Sequence, residues 1–512
     1  MPRYAAIDIG SNSVRLLAAE LRSGGPVNVL ASDRQVIRLG ESVFRDGRLS
    51  AAALDGLCEV LARWAGLLHG LDIAATRAVA TSAVRDAANR DEFSRRAAAA
   101  IGTPVEIISG LEEARLIHLG VLTRFAHPAN SMLILDVGGG SAEIIHSDRG
   151  ECRDAFSKPL GAVRLAEVFL KSDPPAALEL HRMEQYISEK LKPCLDRMGK
   201  RKFAHAIGTS ATAGAIVCAV HRIPRAKREQ AGGRRVTLQQ IRRLYKDAVS
   251  RDVEALRKLP GVGPRRAEIL IPGVAVFLRV LESFGVPSFE YSLGGVREGI
   301  VADLAARGAG RERAMLGREQ RRVVEQMARK YGVCVPHARQ VAALAMRLFE
   351  LLEPLHCLPP QTATLLEAAA YLHDTGHFIG DTAHHRHSAY IVANSGMPGF
   401  TGRERELIAA LCRFHRKSMP GPKHEQYHAL PPPDQQTLLL LLPLLRLADS
   451  LDRSHSQQVE SVDCALRANS VLIKVKSKSG ADLDLWAAER AGDAFRQIYG
   501  RTLQLAGGAE LS

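Results

Sequence analysis

An aspartate followed at once by small residues occurs twice in this chain, as Asp8-Ile9-Gly10-Ser11-Asn12-Ser13 and as Asp136-Val137-Gly138-Gly139-Gly140-Ser141. In both, an apolar stretch leads to the carboxylate, and the small residues after it can bring bare backbone N–H groups against an anion. This chemistry suits a phosphate held by backbone donors, with a divalent cation beside the carboxylate. One such turn alone reads as an ordinary hairpin, but two in consecutive segments of similar build favour phosphate. A third turn, Gly208-Thr209-Ser210 at the head of GTSATAGA, again follows an apolar stretch and adds two hydroxyls. A fourth, SLGGVREG from Ser292 to Gly299, closes the same region.

Turns of this kind need strands to carry them. Apolar strand candidates at residues 4–9, 79–82, 105–108, 132–137 and 203–207 alternate with helical patterns through about residue 305, which predicts an α/β architecture. Because the two aspartate turns are related, the expectation is a duplicated α/β lobe with a cleft between the halves, lobe I over residues 1–125 and lobe II over 126–306. From residue 307 to 330 the chain turns arginine-rich, and amphipathic patterns follow at 337–352 and 361–373. These predict a linker near Arg307 and an all-helical domain over 307–455. The alternating run at 470–476 and a helical pattern at 489–499 predict a small α/β appendage over 456–512.

The 512 residues carry 69 basic and 55 acidic side chains, a net charge of +14 that favours a polyanionic partner. Eight cysteines without a CxxC pair argue against a zinc ribbon or a secreted disulfide framework. The first ten residues lack the features of a signal peptide, and the leucine run at 438–442 is too short to span a bilayer. A cytoplasmic protein with no membrane partner is expected. Two segments look like nucleic-acid signals: LPGVGPRRAEIL at 259–270, which resembles a DNA-binding helical hairpin, and residues 222–243, with eight Arg or Lys against one Glu. Neither is interleaved with aromatic residues for base stacking. A linear polyphosphate, which needs only phosphate contacts, ranks above DNA as the partner of this basic surface.

The strings IDIGSNS, ATSAVRDAAN, ISGLEEARL, ILDVGGGSAEI and GTSATAGA, in this order, resemble the exopolyphosphatase and guanosine pentaphosphate phosphohydrolase family. The resemblance is strong over residues 4–305. It implies two lobes of the actin-like, ribonuclease H-like superfold, and residue roles follow from it position by position. Glu113 matches the carboxylate that deprotonates the attacking water. Ser109 and Glu112 have the form of a capping box, which would occupy Glu112 and leave Glu113 free for the cleft; without the resemblance, both glutamates read as decoration of a helix start. Asp8, Asp136 and Glu143 match the acids that hold Mg²⁺. Gly10, Ser11, Asn12, Ser13, Gly138, Gly139, Gly140, Ser141, Gly208, Thr209 and Ser210 match donors to phosphoryl oxygens. Arg15 and Arg85 match arginines near the anion, with a surface ion pair as the competing reading. At Leu293 relatives commonly carry an aspartate, a departure that bears on substrate preference. The resemblance also implies a homodimer.

Eleven of the 18 histidines lie between His337 and His455. His337, the pair His373-Asp374, and Asp449 resemble the H…HD…D pattern of the HD metal-dependent phosphohydrolases, a nitrogen and carboxylate set that suits a transition metal or Mg²⁺. His387 and His415 are the candidates to complete a binuclear site. The competing reading is a structural remnant.

The functional expectation is an enzyme that removes the terminal phosphate of inorganic polyphosphate with Mg²⁺, with guanosine pentaphosphate, which would yield guanosine tetraphosphate, as the alternative substrate of the same cleft. Two other classes compete: an HD-site nucleotide phosphohydrolase with the first cleft as sensor, and a regulator that binds nucleotide without turnover.

Overall fold

The computed structural model describes residues 1–21, 27–125, 131–199, 201–309, 315–477 and 481–508. It divides into two compact units, Met1–Ala309 and Gly310–Ser512. Residues 126–130, where the expected lobe boundary falls, lie outside the described residues.

In the first unit, β1 (Arg3–Ile9), β2 (Val14–Glu20), β3 (Asn28–Gln35), β4 (Ala75–Ala80) and β5 (Val105–Ile107) form a sheet in the order β3-β2-β1-β4-β5. β1 and β2 pair antiparallel, as do β2 and β3, whereas β4 and β5 run parallel to β1. A second sheet contains β6 (Met132–Val137), β7 (Ala142–Asp148), β8 (Glu151–Lys158), β9 (His205–Thr209), β10 (Arg235–Thr237) and β11 (Ser288–Tyr291). Its order, β10-β11-β9-β6-β7-β8, repeats the first once the edge strand β10 is set aside, with the same pattern of parallel and antiparallel pairs. This duplicated topology is the pair of α/β lobes that the related turns predict and the actin-like fold that the family resemblance implies. Each aspartate turn is a hairpin tip, Gly10–Ser13 between β1 and β2 and Gly138–Ser141 between β6 and β7. Backbone bonds from Gly10 to Ser13 (3.2 Å) and from Gly138 to Ser141 (3.0 Å) close them. The hairpin and phosphate readings of these turns are therefore compatible.

β1 is buried on both faces, which explains its unbroken apolar run. Ala5, Ile7 and Ile9 pack with Leu54, Leu57 and Phe93 on one side. Tyr4 and Ala6 pack on the other with Ile300, Val301 and Ala305. Those last three belong to the helix Val296–Ala309, which covers the first sheet although it follows the second in sequence. The expected assignment of residues 296–306 to lobe II is thereby corrected: a sheet with two apolar faces needs a helix layer on each. The helix Gly110–Leu122 crosses Val296–Ala309 at glycines. A Cβ on Gly120 would lie 1.9 Å from the Gly295 carbonyl oxygen, and one on Gly299 would lie 1.8 Å from that of Leu116. The opposite face of Gly110–Leu122 meets the second sheet through Ala114, Ile117 and Val121. This one helix is wedged between the lobes, with Glu112 and Glu113 in its first turn.

Beneath that turn lies a buried charge network. Arg77 donates to Glu112 (3.1 Å) and Asp303 (3.0 Å), and Arg115 donates to Glu112 (2.7 Å) and Asp303 (2.9 Å). All four residues are buried. Burial opposes ionisation of Asp303, yet Arg115, Arg307 and Arg77 hold its carboxyl well below its ordinary value of 3.8. Its stabilising contribution is therefore present above that value and lost as the pH falls through the lowered one. Replacing Asp303 with alanine takes one of several carboxylate partners from each of two buried guanidinium groups, and denaturant melts are expected to show a loss of about 3–5 kcal/mol at pH 7. A loss below about 1 kcal/mol would place this network in the surface-pair range instead.

Arg307 itself lies in the last turn of Val296–Ala309, where it donates to Asp303 at 2.9 Å, and the division between the units falls just after it, at Ala309 and Gly310, close to the linker expected near Arg307. In the second unit the helices Arg318–Lys330, Val335–Leu351, Ala363–Leu372, His384–Asn394, Gly402–Phe414 and Pro432–Ser450 surround an apolar core. β12 (Val459–Leu466), β13 (Ser470–Ser477) and β14 (Thr502–Gly508) form a three-stranded sheet. Val471, Ile473, Val475 and Phe495 share one core with Leu441, Leu444 and Leu445. The expected separate appendage is thus an integral part of this unit, because so small a sheet buries its apolar face only against the helices. Among the described residues no helix is long and apolar enough to cross a membrane.

Candidate functional site

The two hairpin tips meet. A Cβ on Gly139 would lie 3.0 Å from Ser11 Cβ, and one on Gly140 would lie 2.7 Å from Ser11 Oγ and 2.6 Å from Ser82 Oγ. Glycine is needed here for close approach between lobes as well as for exposed donors. Around the tips opens a cavity of about 450 Å³. It is lined by Asp8, Gly10, Ser11, Asn12, Ser13, Arg15, Glu113, Asp136, Gly138, Gly139, Gly140, Ser141, Thr209 and Ser210. Ser210 starts the helix Ser210–His221 with φ +79°, in the left-handed region. Its hydroxyl donates to the Val137 carbonyl at 3.0 Å, which ties the third turn to the second.

Register explains the two walls of this cleft. Across the first sheet Asp8 lies opposite Arg15, and Arg15 opposite Arg34. Across the second sheet Asp136 lies opposite Glu143, and Glu143 opposite Ser157. The duplicated rows have diverged, one running acid-base-base and the other acid-acid-hydroxyl. Four carboxyl groups, those of Asp8, Glu113, Asp136 and Glu143, are buried together. Burial raises the pKa of each, and repulsion within the group adds to it for Glu113, Asp136 and Glu143; Asp136 is pushed up to about 7. Such a cluster fits a divalent cation, whose charge would relieve both effects.

Glu113 accepts a hydrogen bond from Arg85 Nη1 at 3.0 Å, and the same nitrogen reaches the Ile108 carbonyl at 2.7 Å. Three sequence expectations are corrected here. Arg85 does not line the cavity; its guanidinium is turned to Glu113 and the end of β5. Glu143 is fully enclosed behind Asp136, accepting from Ser157 Oγ at 2.7 Å, because the start of the helix Gly110–Leu122 closes that face of the sheet: a Cβ on Gly110 would lie 2.4 Å from Ser157 Cβ. Gly208 lies within β9 against Phe289 and Phe277 rather than at the cavity wall. The expected capping box is formed on one side: Ser109 Oγ accepts from the Glu112 N–H at 3.2 Å, while the Glu112 carboxylate goes to Arg77 and Arg115.

Four further arginines, Arg34, Arg228, Arg266 and Arg297, line the same cavity. Arg228 donates to Ser210 O and Tyr291 Oη, both at 3.2 Å, and Arg266 reaches Thr212 Oγ1 at 3.4 Å. Burial and the like charges of Arg34, Arg228 and Arg15 push the Arg266 pKa well below the ordinary arginine value. Arg228 comes from the basic segment, and Arg266 from the short helix Pro264–Ala267 in the hairpin that resembled a DNA-binding turn. Arg34 is placed by the cross-strand register of β3, and Arg266 lies in one of the two segments whose composition suggests a polyanion-binding surface. Leu293 lines the cavity too, at 37% exposure.

Residues 18–307 match the Ppx/GppA phosphatase family, and residues 320–487 match its domain III. The chain belongs to the Ppx/GppA phosphatase family. Among solved structures, the Aquifex aeolicus PPX-GPPA enzyme is 29% identical, with a TM-score of 0.52, over 59% of this chain and 99% of that one. An exopolyphosphatase-like protein is 27% identical, with a TM-score of 0.57, over 60% of this chain and 99% of that one. An exopolyphosphatase from Cytophaga hutchinsonii shares the fold, with a TM-score of 0.55 at 24% identity over 60% of this chain and 98% of that one. As a Ppx/GppA member the chain is a hydrolase that releases phosphate, and apart from Asp8, Arg15 and the first hairpin tip, which precede residue 18, the cleft just described falls in the matched region.

In the second unit of this Ppx/GppA phosphatase, His337, His373, Asp374 and Asp449 come together, with His415 beside them. His387 does not join them, a further correction. The inward stripe of the helix His384–Asn394 runs His384, Ser388, Ile391 and Val392, and His387 falls on its flank, half-buried. His384 takes the expected place.

Proposed function

We propose that the cleft of the first unit is an exopolyphosphatase site that cleaves the terminal phosphoanhydride bond of inorganic polyphosphate. The observation that carries this reading is the convergence of Arg15, Arg34, Arg228, Arg266 and Arg297 on one cavity already furnished with two glycine-serine hairpin tips. Phosphoryl oxygens would take the donors of both tips and of Thr209 and Ser210, and the arginines would hold successive phosphates. Asp8 and Asp136 fit Mg²⁺, which when bound would draw charge from the terminal phosphoryl group. Glu113 takes a proton from water as its oxygen attacks the terminal phosphorus. The anhydride oxygen leaves with the bonding electrons on the shortened chain, and orthophosphate is released. Burial raises the Glu113 pKa toward the working pH while Arg85 opposes this and keeps the carboxylate oriented, as a general base requires.

Orthophosphate release from long-chain polyphosphate with Mg²⁺ is expected to exceed release from guanosine pentaphosphate, and to fall as the polymer is shortened to a few phosphates. Faster turnover of guanosine pentaphosphate would assign the cleft to the nucleotide. Tyr291, in the cavity wall with its hydroxyl held by Arg228, is the aromatic face a guanine would use.

The acid cluster has a pH signature. Carboxyl groups whose folded pKa lies above the unfolded value bind protons preferentially in the folded state. The metal-free protein therefore gains stability from this cluster as pH falls through about 7 and loses it as pH rises. Mg²⁺ favours the ionised forms, so its stabilisation should be larger at pH 8 than at pH 6. Melting temperatures with EDTA or Mg²⁺ at both pH values test this, and Asp136→Asn should flatten the difference. An Mg²⁺ shift independent of pH in the wild type would remove Asp136 from the cation site.

A further inference from the structure

The histidine cluster of the second unit plays no part in the cleft chemistry, and its ring nitrogens follow one pattern. His373 Nδ1 donates to the Ala370 carbonyl (2.9 Å) and His415 Nδ1 to the Cys412 carbonyl (2.8 Å). His337 Nδ1 faces Asp452 Oδ2 at 2.9 Å, and Asp452 is itself held by the Gln457 N–H at 2.7 Å. Because a carbonyl or carboxylate oxygen accepts, the proton of each imidazole resides on Nδ1 and its Nε2 lone pair turns inward. His337 and His373 are fully buried, yet their Nε2 atoms have no hydrogen-bond partner. A buried polar atom left unsatisfied is costly, and two of them face the same pair of carboxylates. From Asp449 Oδ1, His337 Nε2 lies at 3.5 Å and His373 Nε2 at 3.4 Å; from Asp374 Oδ2 they lie at 3.8 and 3.6 Å.

These separations suit an absent ion better than direct bonds. Ligands about 2.1 Å from a metal are about 3.4 Å apart in a tetrahedron and about 3.0 Å apart in an octahedron. The set is His337, His373, Asp374 and Asp449, drawn from two helices and the turn that follows a third. The second oxygen of Asp374 looks the other way. Asp374 Oδ1 lies 3.4 Å from His384 Nε2 and 3.6 Å from His377 Nε2, and His384 Nε2 lies 3.4 Å from His415 Nε2. One carboxylate thus divides its oxygens between two groups of imidazoles. The Asp452–His337 pair has the form of the outer carboxylate that orients a metal-bound histidine.

We infer that the second unit holds a dinuclear centre for divalent transition-metal ions, with Asp374 as the bridging ligand. One ion takes His337, His373 and Asp449; the other takes His384 and His415, with His377 at its open, solvent-facing side. Mixed imidazole and carboxylate donors select Mn²⁺, Fe²⁺, Co²⁺ or Zn²⁺ over Ca²⁺. His384 and His377 extend the set beyond the residues that the H…HD…D pattern names.

The full-length protein, stripped with chelator, crystallised and soaked in Mn²⁺, would be read by anomalous scattering at the manganese edge, which separates this centre from any ion in the first cleft by position. Two peaks about 3.5–4 Å apart, one on each side of Asp374, are expected. No peak there, or a single one, would overturn the dinuclear assignment. In solution, Co²⁺ loading gives a second reading through its visible absorption: His384→Ala should remove about half of the histidine-ligated signal and Asp374→Asn nearly all of it. A wild-type Co²⁺ protein without those bands would overturn the inference whether or not the variants fold. Neither readout depends on polyphosphate hydrolysis, so failure of the exopolyphosphatase reading leaves this result standing, and the reverse.

Discussion

Glu113→Gln is expected to lower orthophosphate release from long-chain polyphosphate by about 100- to 10,000-fold, the usual contribution of a positioned general base. Glutamine keeps the size and the hydrogen-bond reach toward Arg85, 3.0 Å away in the native protein, so the loss should fall on kcat with KM little changed. The variant should also fold at least as well without metal. Glu113 is one of four buried carboxyl groups whose pKa values are raised in the same place, and removing one charge reduces their mutual repulsion. Steady-state kinetics and a melt in EDTA on the same preparation measure both effects. Undiminished kcat would exclude Glu113 as the base. A variant that melts well below the wild type would mean that the carboxylate is held mainly to anchor Arg85.

Arg266→Met is expected to act in the opposite sense on substrate and on protein. Arg266 stands among Arg34, Arg228 and Arg15, and burial joins those like charges in lowering its pKa. Its guanidinium reaches the Thr212 hydroxyl at 3.4 Å, a weak bond at best. A cation in such a place costs the empty protein stability and is repaid only by an anion. Methionine of similar length should therefore raise the melting temperature. It should also raise KM for polyphosphate by about 10- to 150-fold, the equivalent of one charge-assisted hydrogen bond of about 1.5–3 kcal/mol. Added orthophosphate should stabilise the wild type more than the variant. If KM stays constant while stability rises, Arg266 is not a phosphate ligand; a less stable variant would mean that a protein acceptor holds the guanidinium in the free enzyme. Glu113 and Arg266 thus test two separable parts of one reading, the proton transfer and the anion grip.

The two hairpins were legible because everything they need is local. An apolar strand, an aspartate near its end and a run of small residues are consecutive, and backbone geometry alone turns them into tips with exposed N–H groups. The related composition of the two turns also predicts the duplicated lobes. His337, His373-Asp374 and Asp449 stand out in the sequence for a different reason, the resemblance of their types and order to the H…HD…D pattern.

Other features depended on what faces what. β1 reads as a strand from its own residues, but the helix that covers one of its faces comes from residues 296–309, almost the length of the unit away. No local pattern announces that a helix belongs to the sheet it follows or to the one before. Arg85 and Glu143 carry chemistry-bearing side chains at motif positions, yet one is turned to Glu113 and the other is sealed under the helix Gly110–Leu122. His384 and His387 both lie in one histidine-rich string, and helical phase alone selects between them.

What the sequence determined by itself was which groups able to do chemistry are present: two aspartate turns rich in small residues, acids at matching positions, a basic excess, and a histidine-rich stretch with its aspartates in the second unit. What only the tertiary structure decided was which of these groups meet. Arg34 enters the cleft through cross-strand register, Arg228 and Arg266 through excursions from the second sheet, and Arg297 through a helix returning to the first. The physical reason is that local geometry propagates over a few residues of chain, whereas an electrostatic field sums over distance in space. Five like charges can be brought together only where the burial of two apolar sheets and the helix between them offsets their repulsion.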